Sequence, residues 1–191
     1  AEPVDVLIHL ASLPGGGAEA NPDLGRAVNL TASLALNDGL ARQHRTGGAR
    51  ARVIFASTIA TFGDFTTDPV GPDHPTRPAI SYGAHKLMTE IDLADLTRRG
   101  DLDAVSLRLP GIVARPPEAL AGFGSAFMSE VFHKARARAP LTLPVSREST
   151  AWWMSRATVV ENILHAARMD TTPLGPERMV LLPALFAPMG A

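Results

Sequence analysis

Short apolar runs along the chain alternate with longer segments in which apolar residues recur at helical spacing. Several runs are rich in β-branched and aliphatic residues and show no regular polar alternation, which predicts strands buried on both faces of a parallel sheet. Three such runs are VDVLIHLA (4–11), ARVIFAS (51–57) and DAVSLRLPGIV (103–113), the last interrupted by Pro110. Two weaker strand predictions are LTLPV (141–145) and ERMVLLPAL (177–185).

Helical periodicity fills the stretches between these runs. The predicted helices are 24–42, with Asn21 or Asp23 as N-cap, 81–98, ended by Gly100, 122–138 and 158–169. Strands that alternate with helices predict an α/β fold, here a Rossmann-like doubly wound parallel sheet. The stretch SLPGGGAEANPD (12–23) and the proline-rich stretch 62–78, with Pro69 among its prolines, are predicted as loops.

Composition narrows the classes of function. The formal net charge of −1 argues against a nucleic-acid partner or an anionic membrane surface, and the basic run KARAR (134–138) suits the C-terminal end of a helix. The chain has no cysteine, which excludes disulfides and thiolate chemistry and fits a cytoplasmic setting. The six histidines are scattered without metal-binding spacing, so no metal site is expected.

The chain's single tyrosine, Tyr82, stands one helical turn before Lys86 in the predicted helix 81–98. Residues four apart share a helix face, and a nearby ammonium favours ionisation of a phenol. Such a phenol can exchange a proton with an alcohol. Thr58 and Ser57, where the second predicted strand ends, are candidates for a hydroxyl that positions the substrate oxygen.

Several motifs in this order resemble the extended short-chain dehydrogenase/reductases, the NAD-dependent epimerase/dehydratase family. They are VDVLIHLA, Asn29 in AVNLTAS, VIFASTIATFG, SYGAHK and SLRLPGIVARP. Within that family, the stretches LRLPGIVARP, GSAF and STAWWMSRATVVENILHA resemble the group of D-erythronate dehydrogenase-type enzymes. The resemblance covers most of residues 4–170.

The resemblance implies roles for individual residues. Thr58, Tyr82 and Lys86 would be catalytic, with Tyr82 as acid/base and Lys86 binding the nicotinamide ribose and lowering the pKa of Tyr82. The implied cofactor is NAD, with NADP left open, and its other contacts would be Ala11, Asn29, Ser57 and Pro110. For Asn29, a hydrogen bond inside its own helix is the competing interpretation.

By the same resemblance, the chain begins at the family's fourth strand. The glycine-rich turn of the opening strand is therefore expected outside this sequence, and we expect a fragment whose sheet leaves apolar edge surface exposed. The GGG at 15–17 lacks the glycine spacing of that turn and is interpreted as a flexible loop on the substrate side. The expected organisation is a partial Rossmann-type domain, 1–115 with 156–170, and substrate-lobe elements at 116–155 and 171–191.

The implied substrate is a small sugar acid or polyol. Relatives that act on nucleotide sugars carry an arginine where this chain has TAWWM (150–154). The flanking Arg147 and Arg156 are candidate partners for a substrate carboxylate, with Trp152 as a candidate pocket wall.

Three alternatives stay open beside a dehydrogenase: a sugar epimerase or dehydratase with tightly held NAD, a non-catalytic nucleotide-binding protein, and an inert fragment. The family resemblance also implies a homodimer formed through the helices at 24–42 and 79–98.

Overall fold

The computed structural model describes residues 2–64, 70–119, 124–175 and 177–190. Part of the loop predicted at 62–78, including Pro69, lies outside the described residues. The helices are α1 Gly15–Ala20, α2 Pro22–Arg26, α3 Ala32–Arg45, α4 Ser81–Arg98, α5 Phe127–Ala137 and α6 Arg156–Arg168. The strands are β1 Val6–His9, β2 Arg52–Thr58, β3 Asp103–Leu109, β4 Gly111–Val113, β5 Thr150–Ser155, β6 Met179–Leu181 and β7 Leu185–Pro188.

Four strands form a parallel sheet in the order β1-β2-β3-β6, which confirms the predicted α/β fold. Each face of this sheet carries its own hydrophobic core. On one face, Val53 and Phe55 of β2 pack with residues of α3 and α4 such as Leu40 and Leu93. On the other face, a second cluster joins the sheet to α6; it contains Ile54, Val105, Leu107, Val159 and Ile163. The apolar runs of β2 and β3 follow from this two-sided burial.

The edge strand β1 departs from its prediction. Val6 and Ile8 are 49 % and 38 % exposed, whereas the sequence predicted burial on both faces. Among the described residues β1 pairs on one side only, with β2, so one flank and part of one face meet solvent. This matches the expected exposure of apolar surface at the sheet edge.

A second sheet has the order β4-β5-β7, and the strands outside the core of the main sheet differ in part from the prediction. Pro110 separates β3 from β4, as predicted, because proline cannot continue a central strand ladder. The stretch 141–145 is not a strand, and β5 in TAWWMS was not predicted. β6 lies in the segment assigned to the substrate lobe, yet it pairs with β3 in the main sheet. Short strands such as β6 are defined by the partner they meet rather than by their own composition.

The predicted loop at 12–23 contains the short helix α1, and its glycines permit close packing rather than flexibility. A Cβ atom at Gly15 would lie 3.1 Å from Ile80 Cδ1 and 3.8 Å from Tyr82 Cβ, so α1 lies directly against the start of α4. α2 follows with Asn21 as its N-cap, the side chain accepting a hydrogen bond from Leu24 N. A π-helical turn, Ala27–Thr31, joins α2 to α3 and completes the helix predicted at 24–42.

The remaining helix predictions are confirmed by α4, α5 and α6, and Lys134 and Arg136 lie in the last turn of α5 as expected of a helix end. None of the helices in the described part of the chain combines the length and apolar character needed to cross a membrane.

Two helical glycines give a matched test of this packing. We expect Gly83→Ala to lower the free energy of unfolding by about 1–3 kcal/mol, because the added methyl group meets a packed backbone. Its Cβ would lie 2.3 Å from the carbonyl oxygen of Ala60. Gly39→Ala in α3 meets nothing within 4 Å and should raise stability by about 0.5–1 kcal/mol through helix propensity. Urea denaturation measures both, and equal shifts in the two variants would contradict the packing argument.

Candidate active site

The candidate site lies where β2 and β3 end. Thr58 and Leu109 are paired in register at this edge, and Pro110 follows directly. Thr58 Oγ1 accepts a hydrogen bond from Ala60 N at 3.1 Å and begins a 3₁₀ turn, Ile59–Thr61. That turn packs on α4 at Gly83, whose missing side chain allows the approach. The end of β2 and the first turn of α4 are thereby held together.

Tyr82 and Lys86 share one face of α4, as predicted. Lys86 is only 2 % exposed, and its Nζ atom lies 5.7 Å from the centroid of the Tyr82 ring and 4.5 Å from that of Phe55. Lys86 Nζ donates a hydrogen bond to the carbonyl oxygen of Ala56 at 2.7 Å. The ammonium therefore links the tyrosine helix to the last residues before Thr58.

Burial dominates the ionisation of both groups. It lowers the pKa of Lys86 to about 8, with the Glu90 carboxylate opposing the shift. It raises the pKa of Tyr82, an effect that a hydrogen bond with Ser12 and the charge of Arg115 partly offset. The pKa of Tyr82 is thus shifted upward, opposite to the lowering by Lys86 that the resemblance implies, because loss of water around the phenol outweighs the contributions of Ser12 and Arg115.

Ser57 has a partner that the sequence analysis missed. It is 2 % exposed, and its hydroxyl donates a short hydrogen bond to Glu90 Oε1. Arg108 of β3 forms a buried ion pair with the same carboxylate, Nη2 to Oε2 at 2.7 Å. Glu90 follows Lys86 by one helical turn, and this spacing was the available sequence signal.

Asn29 lies in the π-helical turn, and its side chain holds a neighbouring loop. Its Oδ1 accepts from Leu13 N at 2.7 Å, and its Nδ2 donates to Leu13 O at 3.0 Å. The buried side chain thus uses both of its polar atoms on Leu13, and not inside its own helix as in the competing interpretation. Asn29 thus fixes the loop after β1, which carries exposed Ala11 and the Ser12 that contacts Tyr82.

Arg147 and Arg156 are both exposed. Arg147 Nη2 donates to the carbonyl oxygen of Gly190 at 3.3 Å, and Arg156 begins α6. Trp152 is half-buried and pairs with Phe186 between β5 and β7.

Arg115 is the arginine whose charge acts on Tyr82, and it was not singled out from the sequence. It follows Ala114, which has a φ of 54°, a conformation that costs energy in a residue with a side chain. α5 holds the Arg115 backbone: Ser129 Oγ accepts from its N–H at 3.3 Å, and His133 Nε2 contacts its carbonyl oxygen at 2.6 Å. Strain of this kind gathers at functional sites.

The site has the donors that a ribose and an alcohol oxygen require. The Lys86 ammonium carries three N–H donors, and Ala56 uses one of them. The Tyr82 phenol and the Thr58 hydroxyl add groups that both donate and accept. Among the described residues, no group of three or more histidine, aspartate or glutamate side chains is placed to hold a metal ion.

Known proteins resemble the chain over nearly its whole length. It is 36 % identical over 181 residues to a D-erythronate dehydrogenase of Cupriavidus necator, covering 94 % of this chain and 54 % of that protein. It is 32 % identical over 185 residues to a D-erythronate dehydrogenase of Haemophilus influenzae, covering 95 % of this chain and 56 % of that protein. The chain spans about half the length of these curated relatives.

A solved structure described as a nucleoside-diphosphate-sugar epimerase from Agrobacterium tumefaciens superposes with a TM-score of 0.89 at 33 % identity, covering 97 % of this chain and 54 % of that one. L-threonine dehydrogenase from Phytophthora infestans superposes with a TM-score of 0.83 at 25 % identity, covering 98 % of this chain and 59 % of that one. The model of one family matches residues 1–181. On this match and these identities, the chain belongs to the NAD dependent epimerase/dehydratase family.

Proposed function

We propose that the protein containing this sequence is an NAD(P)-dependent oxidoreductase that acts on a secondary alcohol of a small sugar acid. The observation that carries the proposal is the meeting of Tyr82, Lys86 and the Thr58 strand end at the carboxyl edge of a parallel sheet. Ligands of doubly wound sheets bind at that edge. Two relatives named D-erythronate dehydrogenase support a sugar-acid substrate.

In the proposed mechanism, a bound nicotinamide supplies the hydride chemistry, and the protein supplies orientation and a proton path. Thr58 holds the reacting oxygen, and Tyr82 accepts the alcohol proton during oxidation or returns it during reduction. Lys86 would hold the ribose hydroxyls through the N–H donors that Ala56 does not use.

We assign the substrate carboxylate to Arg115. Its charge reaches Tyr82, and α5 fixes its backbone next to the strained Ala114. An arginine is suited to a carboxylate because its guanidinium donates two parallel hydrogen bonds. Arg147 and Arg156 remain competing candidates, and both stand on exposed positions.

The protein is also proposed to form a homodimer through the face formed by α2, α3 and α4. This face presents exposed apolar side chains from all three helices: Leu24, Leu36, Met88 and Ile91. A symmetric pairing of such faces would remove them from water.

Light scattering should return twice the mass of one chain, and a monomer mass would contradict the proposed dimer.

Replacement of the phenol tests the acid/base role. We expect Tyr82→Phe to lower kcat by about 10²–10⁴-fold, because the ring remains and the proton acceptor is lost. The assay follows NADH formation from D-erythronate, with calorimetry to show that NAD⁺ still binds. Turnover equal to that of the parent would refute the role of Tyr82.

Turnover of a sugar nucleotide without net NADH would favour the epimerase alternative, the activity in the description of the Agrobacterium structure.

The arginine assignment is tested by paired variants. We expect Arg115→Gln to raise KM for a sugar acid about 10–100-fold, since a charge-assisted hydrogen bond is lost. KM for the matching uncharged polyol should change little. Arg147→Gln is the control and should leave both constants near those of the parent. If Arg147→Gln raised KM for the sugar acid and Arg115→Gln did not, Arg147 would be the partner of the substrate carboxylate.

A further inference from the structure

The buried carboxylate of Glu90 accepts hydrogen bonds from three donor groups, and the proposed mechanism gives it no role. It is 6 % exposed and lies in the middle of α4. Oε1 accepts from the Ser57 hydroxyl and from Arg108 Nε at 3.1 Å, and Oε2 accepts from Arg108 Nη2 at 2.7 Å. A buried ion pair is weak evidence for a purely stabilising role, since an apolar pair of similar volume is often as stable.

Its position connects this pair to the candidate site. Glu90 lies one helical turn after Lys86, so both side chains face β2. Lys86 holds the carbonyl oxygen of Ala56, and Glu90 holds the hydroxyl of the next residue, Ser57. Thr58 follows directly. Lys86 and Glu90 therefore form hydrogen bonds with consecutive residues of β2, the strand that ends at Thr58.

The charged and titratable groups around Lys86 come from three elements. Tyr82 and Glu90 stand on α4, and His9 faces Lys86 from β1. Burial and the Lys86 charge lower the pKa of His9, which favours its neutral imidazole. Arg108 of β3 lies on the far side of Glu90. In the described part of the chain, Glu90 is thus the anion that opposes the loss of the Lys86 proton.

We infer that Glu90 is a positioning residue that keeps Lys86 in its ammonium form and in register with the end of β2. The inference rests on the proposed function for its purpose, which is to present a cation to the nicotinamide ribose and to Tyr82 at neutral pH. Arg108, whose guanidinium carbon lies 4.7 Å from the centroid of the Phe62 ring, orients Glu90 for this task.

The lysine content makes the test direct, because Lys86 and Lys134 are the chain's two lysines. Isotope labelling of lysine gives side-chain NMR signals for both residues, and Lys134 near the end of α5 serves as an internal reference. In the parent, the Lys86 signal should titrate with a midpoint of about 8. Neither nicotinamide nor turnover is needed, so the result is independent of whether the protein is a dehydrogenase.

In Glu90→Gln, we expect the Lys86 midpoint to fall by about one pH unit or more, because an anion is removed from a buried ammonium. Asp95→Asn, which removes a half-buried carboxylate from the same helix, should leave the midpoint unchanged. Glu90→Asp keeps the charge and should stay closer to the parent. An unchanged midpoint in Glu90→Gln would overturn the inference.

A second variant covers the case in which the single change unfolds the protein or acts through an unpaired Arg108. In the double variant Glu90→Gln, Arg108→Met, both charges of the pair are removed. The Lys86 midpoint should still fall if Glu90 sets it, and a return to the parent value would refute the inference. Calorimetry should also show a several-fold weaker affinity of Glu90→Gln for NAD⁺ at pH 7.5. This is the one expected result that depends on the proposed function as well.

Discussion

The burial of one ammonium group is the constraint around which this structure is arranged. Lys86 is 2 % exposed, and the lowering of its pKa from 10.5 to about 8 corresponds to about 3 kcal/mol. Because the pKa is lowered, the folded state carries this cost in full at pH values below about 8. The cost fades as the pH rises from about 8 to the ordinary lysine pKa of 10.5. The hydrogen bond to Ala56 and the charge of Glu90 offset part of it. A buried charge with a pKa shifted this far marks a candidate functional site.

The elements around Lys86 hold its surroundings in place. Glu19 of α1 accepts a hydrogen bond from Ser81 N at 2.6 Å and satisfies a donor at the first turn of α4. Asn29 fixes the loop that brings Ser12 to Tyr82. Gly83 lets α4 approach the turn that follows Thr58. Each contact joins segments distant in sequence, so the site depends on the correct packing of α1, α4 and the end of β2.

The polar residues of α4 depart from the usual packing of a helix on a sheet. A helix that covers a sheet usually presents an apolar stripe, yet α4 also buries polar and charged side chains: His85, Lys86, Thr89, Glu90 and Thr97. Each such group requires a partner, and most have one within the described residues. Places where local rules fail in this way are those where a functional site is expected.

The sequence by itself determined the α/β class, the core strands β2 and β3, the span of α4 and the shared face of Tyr82 and Lys86. Apolar runs and helical periodicity are local properties, and a spacing of four residues carries its geometry with it. Only the tertiary structure decided the helix α1, the strand β5, the place of β6 and the exposure of β1, because each depends on a neighbour distant in the chain. It also decided that Asn29 binds Leu13 and that Arg115 lies near Tyr82. The sequence also could not predict the direction of the Tyr82 pKa shift. Burial is a property of the folded chain, and here it outweighs the contributions of Ser12 and Arg115.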